Sequence, residues 1–180
     1  MPVRGDWRKT LTLSAKHQSG PRAAYFADLV GVGWYPIDIH RSGPDDVGAS
    51  CRTNPFQIPL GALLPVRITN LIAGAKNIGT THITNGCYRL HPIEWNIGEA
   101  AGALAAFALD EHVAPAAVRG RGELLTRFQR HLLDDGVPLA WLVDVGVDDP
   151  QFASSQLSFM RGELAPRDDL LFHGSVGARP

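Results

Sequence analysis

A helix rich in small residues, predicted between residues 93 and 111, constrains the fold more than any other feature. Its small side chains recur at helical spacing, at Gly98, Ala101, Gly102, Ala105 and Ala106. Glycine inside a helix costs up to about 1 kcal/mol relative to alanine, so Gly98 and Gly102 are expected to serve a close contact. That contact is either packing against a sheet or close approach to a ligand.

The segment before this helix is predicted to be a short buried strand, residues 71–74, followed by a long polar loop that ends at Pro92. The loop is dense in hydrogen-bonding side chains, while both flanks are apolar. Rigid elements that present polar groups on a loop are a common way to build a binding or catalytic site. We therefore expect the functional site within residues 70–109.

The apolar pattern of the whole chain predicts an α/β fold, a small sheet packed by two main helices. Strands are expected near residues 29–35, 56–60 and 71–74, and a shorter alternating segment covers residues 10–15. Gly31 and Gly33 share one face of the first strand, which suggests that another backbone or a ligand approaches there. The second main helix is expected over residues 122–135, where Leu124, Phe128 and Leu132 form one apolar stripe.

Three regions are expected along the chain. Residues 1–27 form an N-terminal segment that is weakly structured or a strand, and residues 28–142 form the main domain. Residues 143–180 have only scattered apolar side chains and are expected to be a loosely ordered tail.

Composition excludes several classes of function. The chain has 44% hydrophobic and 19% charged residues, as a globular protein does, and its 17 Lys and Arg balance 18 Asp and Glu without a run of like charge. This balance argues against nucleic-acid binding. The longest apolar run, residues 100–109, is shorter than the about 20 residues of a membrane span. Two unpaired cysteines and no signal peptide predict a soluble protein of the cytoplasm.

The residue types also suggest two other chemistries, metal binding and nucleophilic catalysis by a cysteine. His40, His82 and His91, with Asp38 and Glu94, match no compact zinc pattern, so no metal is predicted and a metal-dependent hydrolase is a distant alternative.

Cys87 lies near two of these histidines in sequence, yet it belongs to no nucleophile motif, and a buried small residue is the default interpretation. Arg89 needs an anionic partner or a cluster of carbonyl groups, so structural pairing and ligand binding both remain open.

Several segments together resemble the C-terminal part of a family of bacterial FAD-dependent oxidoreductases, flavoproteins of the two-dinucleotide-binding-domain type. The segments are residues 33–40, 56–65, 70–109, 128–129 and 136–141. The similarity covers residues 28–142, and residues 77–102 are its most specific part.

The resemblance implies a set of site residues and FAD as the cofactor. The segment that would pass the ribityl and pyrophosphate groups is Gly74, Ala75, Lys76 and Asn77. The residues whose backbone N–H groups would face the flavin C2 oxygen and N1 are Glu94, Trp95, Asn96, Ile97 and Gly98. The residues nearest the isoalloxazine ring, which would orient a small-molecule substrate for catalysis, are His82, Arg89 and His91.

The chain departs from the family pattern in one respect, since no Gly-x-Gly-x-x-Gly loop occurs in it. We therefore expect a partial FAD-binding fold, the flavin-contacting part of an oxidoreductase that transfers hydride between FAD and a small organic substrate. It would be incomplete alone, and a separate chain would supply the N-terminal FAD-binding part, or the chain would form a homo-oligomer. The alternative is a non-catalytic fragment or interaction module that retains the packing without FAD binding.

Overall fold

The computed structural model describes residues 25–163 and 170–172. The strand expected at residues 10–15, most of the N-terminal segment and the end of the expected tail lie outside these residues. The strands are β1 (Leu29–Gly33), β2 (Ile37–Ile39), β3 (Ala49–Cys51) and β4 (Phe56–Pro59). The helices are α1 (His82–Tyr88), α2 (His91–Asp110), α3 (Pro115–Gly120), α4 (Gly122–Asp134) and α5 (Phe152–Met160), with a 3₁₀ helix at Leu60–Ala62.

The described strands form two antiparallel pairs rather than one sheet. β1 pairs with β4, with Gly33 opposite Phe56, and β2 pairs with β3. The α/β prediction is confirmed, and β1 and β4 lie within the two strand ranges predicted from the sequence. The β2–β3 pair was not predicted.

The strand predicted at residues 71–74 is wrong. This segment is irregular, and Ala73 N within it donates to Leu63 O (2.9 Å). Further along the chain, Gly79 N donates to Ala62 O (2.8 Å). Both acceptors lie in or directly after the 3₁₀ helix, not in a neighbouring strand. Ala73 is buried, whereas Leu71 is 45% exposed, so this apolar run lies against the turn without the continuous burial that the sequence pattern suggested.

The long polar loop predicted before the main helix is also wrong in part, because α1 lies within it. Thr81 caps α1, its hydroxyl accepting from Thr84 N while the Thr84 hydroxyl accepts from Thr81 N. Such a reciprocal capping box satisfies two donors that a helix start leaves unpaired. Here a Thr occupies the third helical position, where Glu or Gln is usual, so the signal is easily missed.

The two predicted main helices are confirmed, with shifted ends. α2 begins at His91, two residues before the predicted start, with Pro92 in its first turn. α4 ends at Asp134 and buries Leu124, Phe128 and Leu132 as its apolar stripe predicts. The rings of Phe107 in α2 and Phe128 in α4 lie 5.4 Å apart and join the two helices in the core.

β1 is held on its outer edge by side chains from both helices. Asn96 Oδ1 in α2 accepts from Val32 N (2.9 Å), and Gln129 Nε2 in α4 donates to the carbonyls of Ala27 and Leu29 (2.9 and 3.0 Å). Buried backbone groups need such partners, and a strand edge without them would be costly. The sheet is therefore closed on this side by amides instead of by another strand.

The close approaches expected at the glycines are made by different neighbours from those predicted. A Cβ at Gly31 would lie 2.0 Å from Asn96 Oδ1, and one at Gly33 would lie 2.7 Å from the Phe56 ring, so side chains approach β1, not a backbone or a ligand. A Cβ at Gly98 would meet Gly74 O at 3.4 Å, whereas Gly102 has nothing within 4 Å. The contact expected at Gly102 is absent among the described residues.

The region expected to be a loose tail contains α5. Phe152 of this helix is buried, and the Gln156 amide accepts from Leu139 N (2.9 Å) and donates to Ala140 O (3.1 Å). The sequence analysis did not predict this helix, because it is short and its anchor is a buried amide rather than an apolar stripe. Over the described part of the chain, no helix has the length and apolar character needed to cross a membrane.

Candidate functional site

The structure brings together the two segments predicted to contact a cofactor. The Gly74 carbonyl oxygen lies 3.4 Å from the point that a Cβ at Gly98 would occupy, so this segment crosses α2 at close range. Next to this crossing, Lys76 Nζ lies 3.7 Å from Glu94 Oε1. Glycine at position 98 thus permits a contact that a larger side chain would disturb.

The segment containing Gly74, Ala75, Lys76 and Asn77 has a defined local geometry. Asn77 Oδ1 accepts from Ala75 N at 3.2 Å, and Ile78 N donates to Ala75 O at 3.3 Å, which makes a compact turn. Ala75, Lys76 and Asn77 are exposed, while Gly74 is half-buried. The turn therefore presents backbone groups and one ammonium group beside the start of α2.

Within α2, the five residues predicted to contact a cofactor do not all face the same way. Asn96 and Ile97 are buried, and the Asn96 side chain is already bound to Val32 N. Trp95 is 81% exposed, whereas Glu94 and Gly98 are half-buried. Of these five residues, Glu94, Trp95 and Gly98 are therefore the ones that a ligand on the outer side of the helix can contact.

The role predicted for the backbone of this segment needs revision. Because α2 begins at His91, Glu94 N already donates to Leu90 O at 2.8 Å, as does Ile93 N at 2.9 Å. The N–H groups that a helix leaves unpaired belong to its first turn, and no side chain caps this end. Residues 94–98 can therefore contribute side chains and close approach, while any free N–H lies nearer His91.

Glu94 is the least satisfied polar side chain of this region. Its Oε1 atom is buried and has no hydrogen-bond partner among the described residues. The Lys76 ammonium at 3.7 Å is close enough for charge attraction but too distant for a hydrogen bond. A buried carboxylate oxygen without a donor is costly, and it is a place where a ligand donor would be accommodated.

A cavity of about 470 Å³ lies between β2 and α1. Its lining comprises Asp38, Ile39, His40, Thr80, Thr81, His82, Asn85, Gly86 and Arg89. Two of the predicted catalytic residues, His82 and Arg89, therefore share one cavity. His91 does not line it and stands exposed at the first position of α2.

Gly86 allows β2 to lie against α1. A Cβ at this position would come within 3.0 Å of Ile37 Cγ2 and 3.1 Å of Asp38 N and O. This contact brings Asp38 and His40 to the residues of α1. From the sequence, Asp38 and His40 were weighed as metal ligands. The alternating residues of β2, followed by a turn, could have indicated that they lie at the end of a strand.

The polar groups of the cavity have different partners. His40 Nε2 lies 2.7 Å from Asp38 Oδ2, and since a carboxylate only accepts, this nitrogen carries the proton. Arg89 Nη2 donates to the backbone carbonyl of Asp38 at 2.8 Å. The arginine thus has a carbonyl as partner, one of the two arrangements that the sequence left open.

Asp46 was missed by sequence reasoning and adds a negative charge near His82. Hydrogen bonds from Gly48 N and from the Ser42 hydroxyl and N–H, together with the smaller effect of the nearby His82, lower the pKa of Asp46 to about 2. The Asp46 carboxylate is therefore ionised at neutral pH. A Ser and an Asp four residues apart in a turn-rich loop could have indicated this local structure.

Cys87 is not available as a nucleophile in the folded chain. Its side chain is fully buried and its Sγ contacts Thr84 O at 3.2 Å. Desolvation by burial raises the pKa of Cys87 to about 12, and the thiolate is the reactive form. The default interpretation, a buried small residue, is confirmed. In residues 25–163 and 170–172, no three His, Cys, Asp or Glu side chains are grouped to hold a metal ion.

Comparison with known protein families gives one match. A family described as FAD dependent oxidoreductase matches residues 10–132, which is more than half of the chain. No curated protein and no solved structure matches the chain.

Proposed function

Because the chain belongs to the FAD dependent oxidoreductase family, whose cofactor is FAD, we propose that it is the flavin-contacting part of such an enzyme. The reaction is hydride transfer between FAD and a small organic substrate. The observation that carries the proposal is the contact of Gly74 with Gly98, since it joins the two segments that the family resemblance assigns to the cofactor.

The residues at this contact fit the polar edge of a flavin. Gly98 lets the Gly74 carbonyl lie close to α2, and the buried Glu94 Oε1 lacks a donor that a ligand N–H would supply. Lys76 places a cation beside the uncapped start of α2, where a helix dipole favours negative charge. When bound, FAD supplies the hydride acceptor or donor, and the protein positions it.

The chain's own residues have separate roles in this proposal. Gly74, Ala75, Lys76 and Asn77 follow the chain of the cofactor, and Glu94, Trp95 and Gly98 border its ring, with Asn96 and Ile97 fixing α2 on the core. His82 and Arg89 orient the substrate from the cavity beside α1, and His91 stands at the exposed start of α2. Each role assigns a binding or orienting function that substitution can test.

The pyrophosphate of FAD would be held from outside these 180 residues, because they contain no Gly-x-Gly-x-x-Gly loop. A separate chain carrying that loop, or a second copy of this one, would complete the site. Cys51 and Cys87 are both free thiols, which supports action in the reducing cytoplasm. A Gly-x-Gly-x-x-Gly segment encoded directly upstream would support the separate-chain form.

Titration with three flavins tests this proposal. If only the ring and ribityl groups are contacted, riboflavin, FMN and FAD should bind the purified chain with similar and low affinity, measured by quenching of flavin fluorescence. Gly98→Val should abolish this binding, whereas Gly102→Val, with nothing near its Cβ, should leave it unchanged. Tight stoichiometric binding of FAD alone would contradict the incompleteness, and equal effects of both variants would contradict the site.

A non-catalytic interaction module remains the second candidate, and the outer side of α2 favours it. Trp95 and Leu109 are 81% and 74% exposed on this helix. Exposed apolar residues grouped on one surface are typical of a contact with another protein. If no flavin binds while Leu109→Glu abolishes self-association in sedimentation experiments, the module is favoured over the enzyme.

A further inference from the structure

We propose that the cavity between β2 and α1 binds the carboxylate group of a small monocarboxylic acid, with Arg89 as its anchor. Its role as the substrate subsite rests on the proposed function, but carboxylate binding itself does not require a flavin. The inference names the chemical class of the small organic molecule that the oxidoreductase would take.

Arg89 is the cation of the cavity without an acidic partner. Within residues 25–163 and 170–172 it makes one hydrogen bond, to the backbone carbonyl of Asp38, and no ion pair. A guanidinium has five N–H donors in a planar fork that matches a carboxylate, so most of its capacity is left for a ligand. The side chain is half-buried and lines the cavity.

The carboxylates around the cavity already have partners. Asp38 Oδ2 is bound by His40 Nε2 at 2.7 Å. The Asp46 carboxylate accepts from Ser42 and Gly48 and faces His82. Neither carboxylate forms an ion pair with Arg89, so the remaining N–H donors of this arginine are available to the carboxylate of a ligand.

Two polar side chains lie on the same side of α1 as the arginine. His82, Asn85 and Arg89 follow one another at i, i+3 and i+7, which places them along one helix face. The Asn85 side-chain amide is half-buried and makes no hydrogen bond within the described part of the chain. An amide next to a guanidinium can bind a hydroxyl or carbonyl group adjacent to the ligand carboxylate.

Size and charge favour a small monocarboxylate over phosphate. A volume of about 470 Å³ is in the range of small-molecule sites. The unpaired positive charge is a single guanidinium, while Asp38 and Asp46 lie close by. A dianionic phosphate would be repelled by these two carboxylates, whereas a monoanion balances Arg89.

Binding of glycolate to the ¹⁵N-labelled chain without flavin tests the inference. Glycolate and acetate should shift the amide resonances of Asn85 and Arg89 saturably, whereas acetamide, the neutral isostere of acetate, should not. Arg89→Met should weaken glycolate binding by about tenfold or more, and Arg89→Lys by less, because a guanidinium binds a carboxylate at two points. Arg130→Met is the matched control, since Arg130 is exposed on α4.

A second variant guards against a misfolded Arg89→Met protein. Asn85→Leu keeps the guanidinium and nearly the shape of the asparagine but removes the amide, so glycolate binding should weaken while the circular dichroism spectrum is unchanged. Equal binding of acetamide, tighter binding of inorganic phosphate, or full binding by both variants would overturn the inference. A chain that binds flavins but no carboxylate would reject this inference alone, and the opposite result would reject only the flavin proposal.

Discussion

α2 and α4 both pack on β1, but their outer surfaces differ. Each helix contributes one buried amide to the edge of β1, Asn96 from α2 and Gln129 from α4. The outer side of α4 carries charged residues, namely Glu123, Arg127, Arg130 and Asp134. The outer side of α2 is largely small and apolar, with Gly102, Ala105, Ala106 and Leu109 exposed beside two acidic residues, Glu99 and Asp110.

This difference indicates that the outer side of α4 is solvated, whereas the outer side of α2 is suited to contact a ligand or a protein partner. Charged side chains are stable in water, so α4 needs no further contact. Exposed apolar and small residues on one helix leave a surface that water covers poorly. The proposed flavin contact lies at the N-terminal end of this surface, beside Gly98.

The largest expected loss of stability comes from disturbing the inner side of α2, where it packs on β1. Gly31→Ala would place a Cβ 2.0 Å from Asn96 Oδ1 and drive the amide from its hydrogen bond, so we expect a loss of about 3 kcal/mol in the free energy of unfolding. Urea denaturation of this variant and of the wild type measures the effect. An unchanged stability would show that Asn96 is not held between α2 and β1.

The second largest loss of stability is expected from removing the side-chain amides of Asn96 and Gln129. Asn96→Ala should cost about 2 kcal/mol, because Val32 N would be left buried without an acceptor. Gln129→Ala should cost less, although it also leaves the buried Leu29 carbonyl without this donor. Water can replace the donor to the carbonyl of the exposed Ala27, and a buried carbonyl tolerates a missing partner better than a buried N–H does. Denaturation midpoints of both variants decide the order, and a larger loss for Gln129→Ala would reverse this comparison.

The buried thiol of Cys87 should make the stability of the fold depend on pH. Since the pKa of Cys87 is raised to about 12 in the folded chain, unfolding releases its proton above the unfolded pKa of about 9. Stability is then complete below about pH 9 and falls as pH rises towards 12, on the order of 1 kcal/mol between pH 8 and pH 10. Cys87→Ala should flatten this fall in denaturation series, and identical pH profiles would show that the thiol is solvated.

On the outer side of α2, replacing Gly102 should stabilise the folded protein. Gly102→Ala meets nothing within 4 Å and replaces a poor helix former, so the gain should be up to about 1 kcal/mol. Thermal unfolding measures this gain, with Gly31→Ala as the contrasting glycine. A loss of stability would indicate a close contact at Gly102.

The smallest effect is expected where the two helices meet at the surface. Arg127 of α4 pairs with Glu111 just after α2, with Nη1 2.8 Å from Oε2, and lies over the Phe107 ring. Arg127→Met should cost less than about 1 kcal/mol, and salt should reduce the difference from wild type. A loss insensitive to salt would assign the stabilisation to packing on Phe107 instead.

The two main helices were predictable because their signals are local. The stripe of α4 repeats every turn, and each of its apolar residues contributes independently to the pattern. The structure of residues 71–74 was not predictable, because an apolar run of four residues does not reveal whether it lies against a strand or against a 3₁₀ helix. α1 was missed because its capping box uses Thr84 in place of an acidic residue.

The candidate site divides in the same way. Arg89 and His82 could be named from the sequence, as could the segments around Gly74 and Gly98. That Asp38 and His40 belong beside Arg89 depends on Gly86, whose missing Cβ lets β2 lie on α1. No pattern within either segment encodes that contact.

The sequence by itself determined the two main helices, the small-residue character of α2, the family resemblance and the absence of a Gly-x-Gly-x-x-Gly loop. Tertiary structure alone decided which side of α2 is buried, which N–H groups at its start are engaged, and which polar groups share a cavity. The physical reason is that periodicity and capping act between near neighbours in the chain. Hydrogen bonds such as that from Val32 to Asn96 join residues 64 apart, so only the packed chain brings them together.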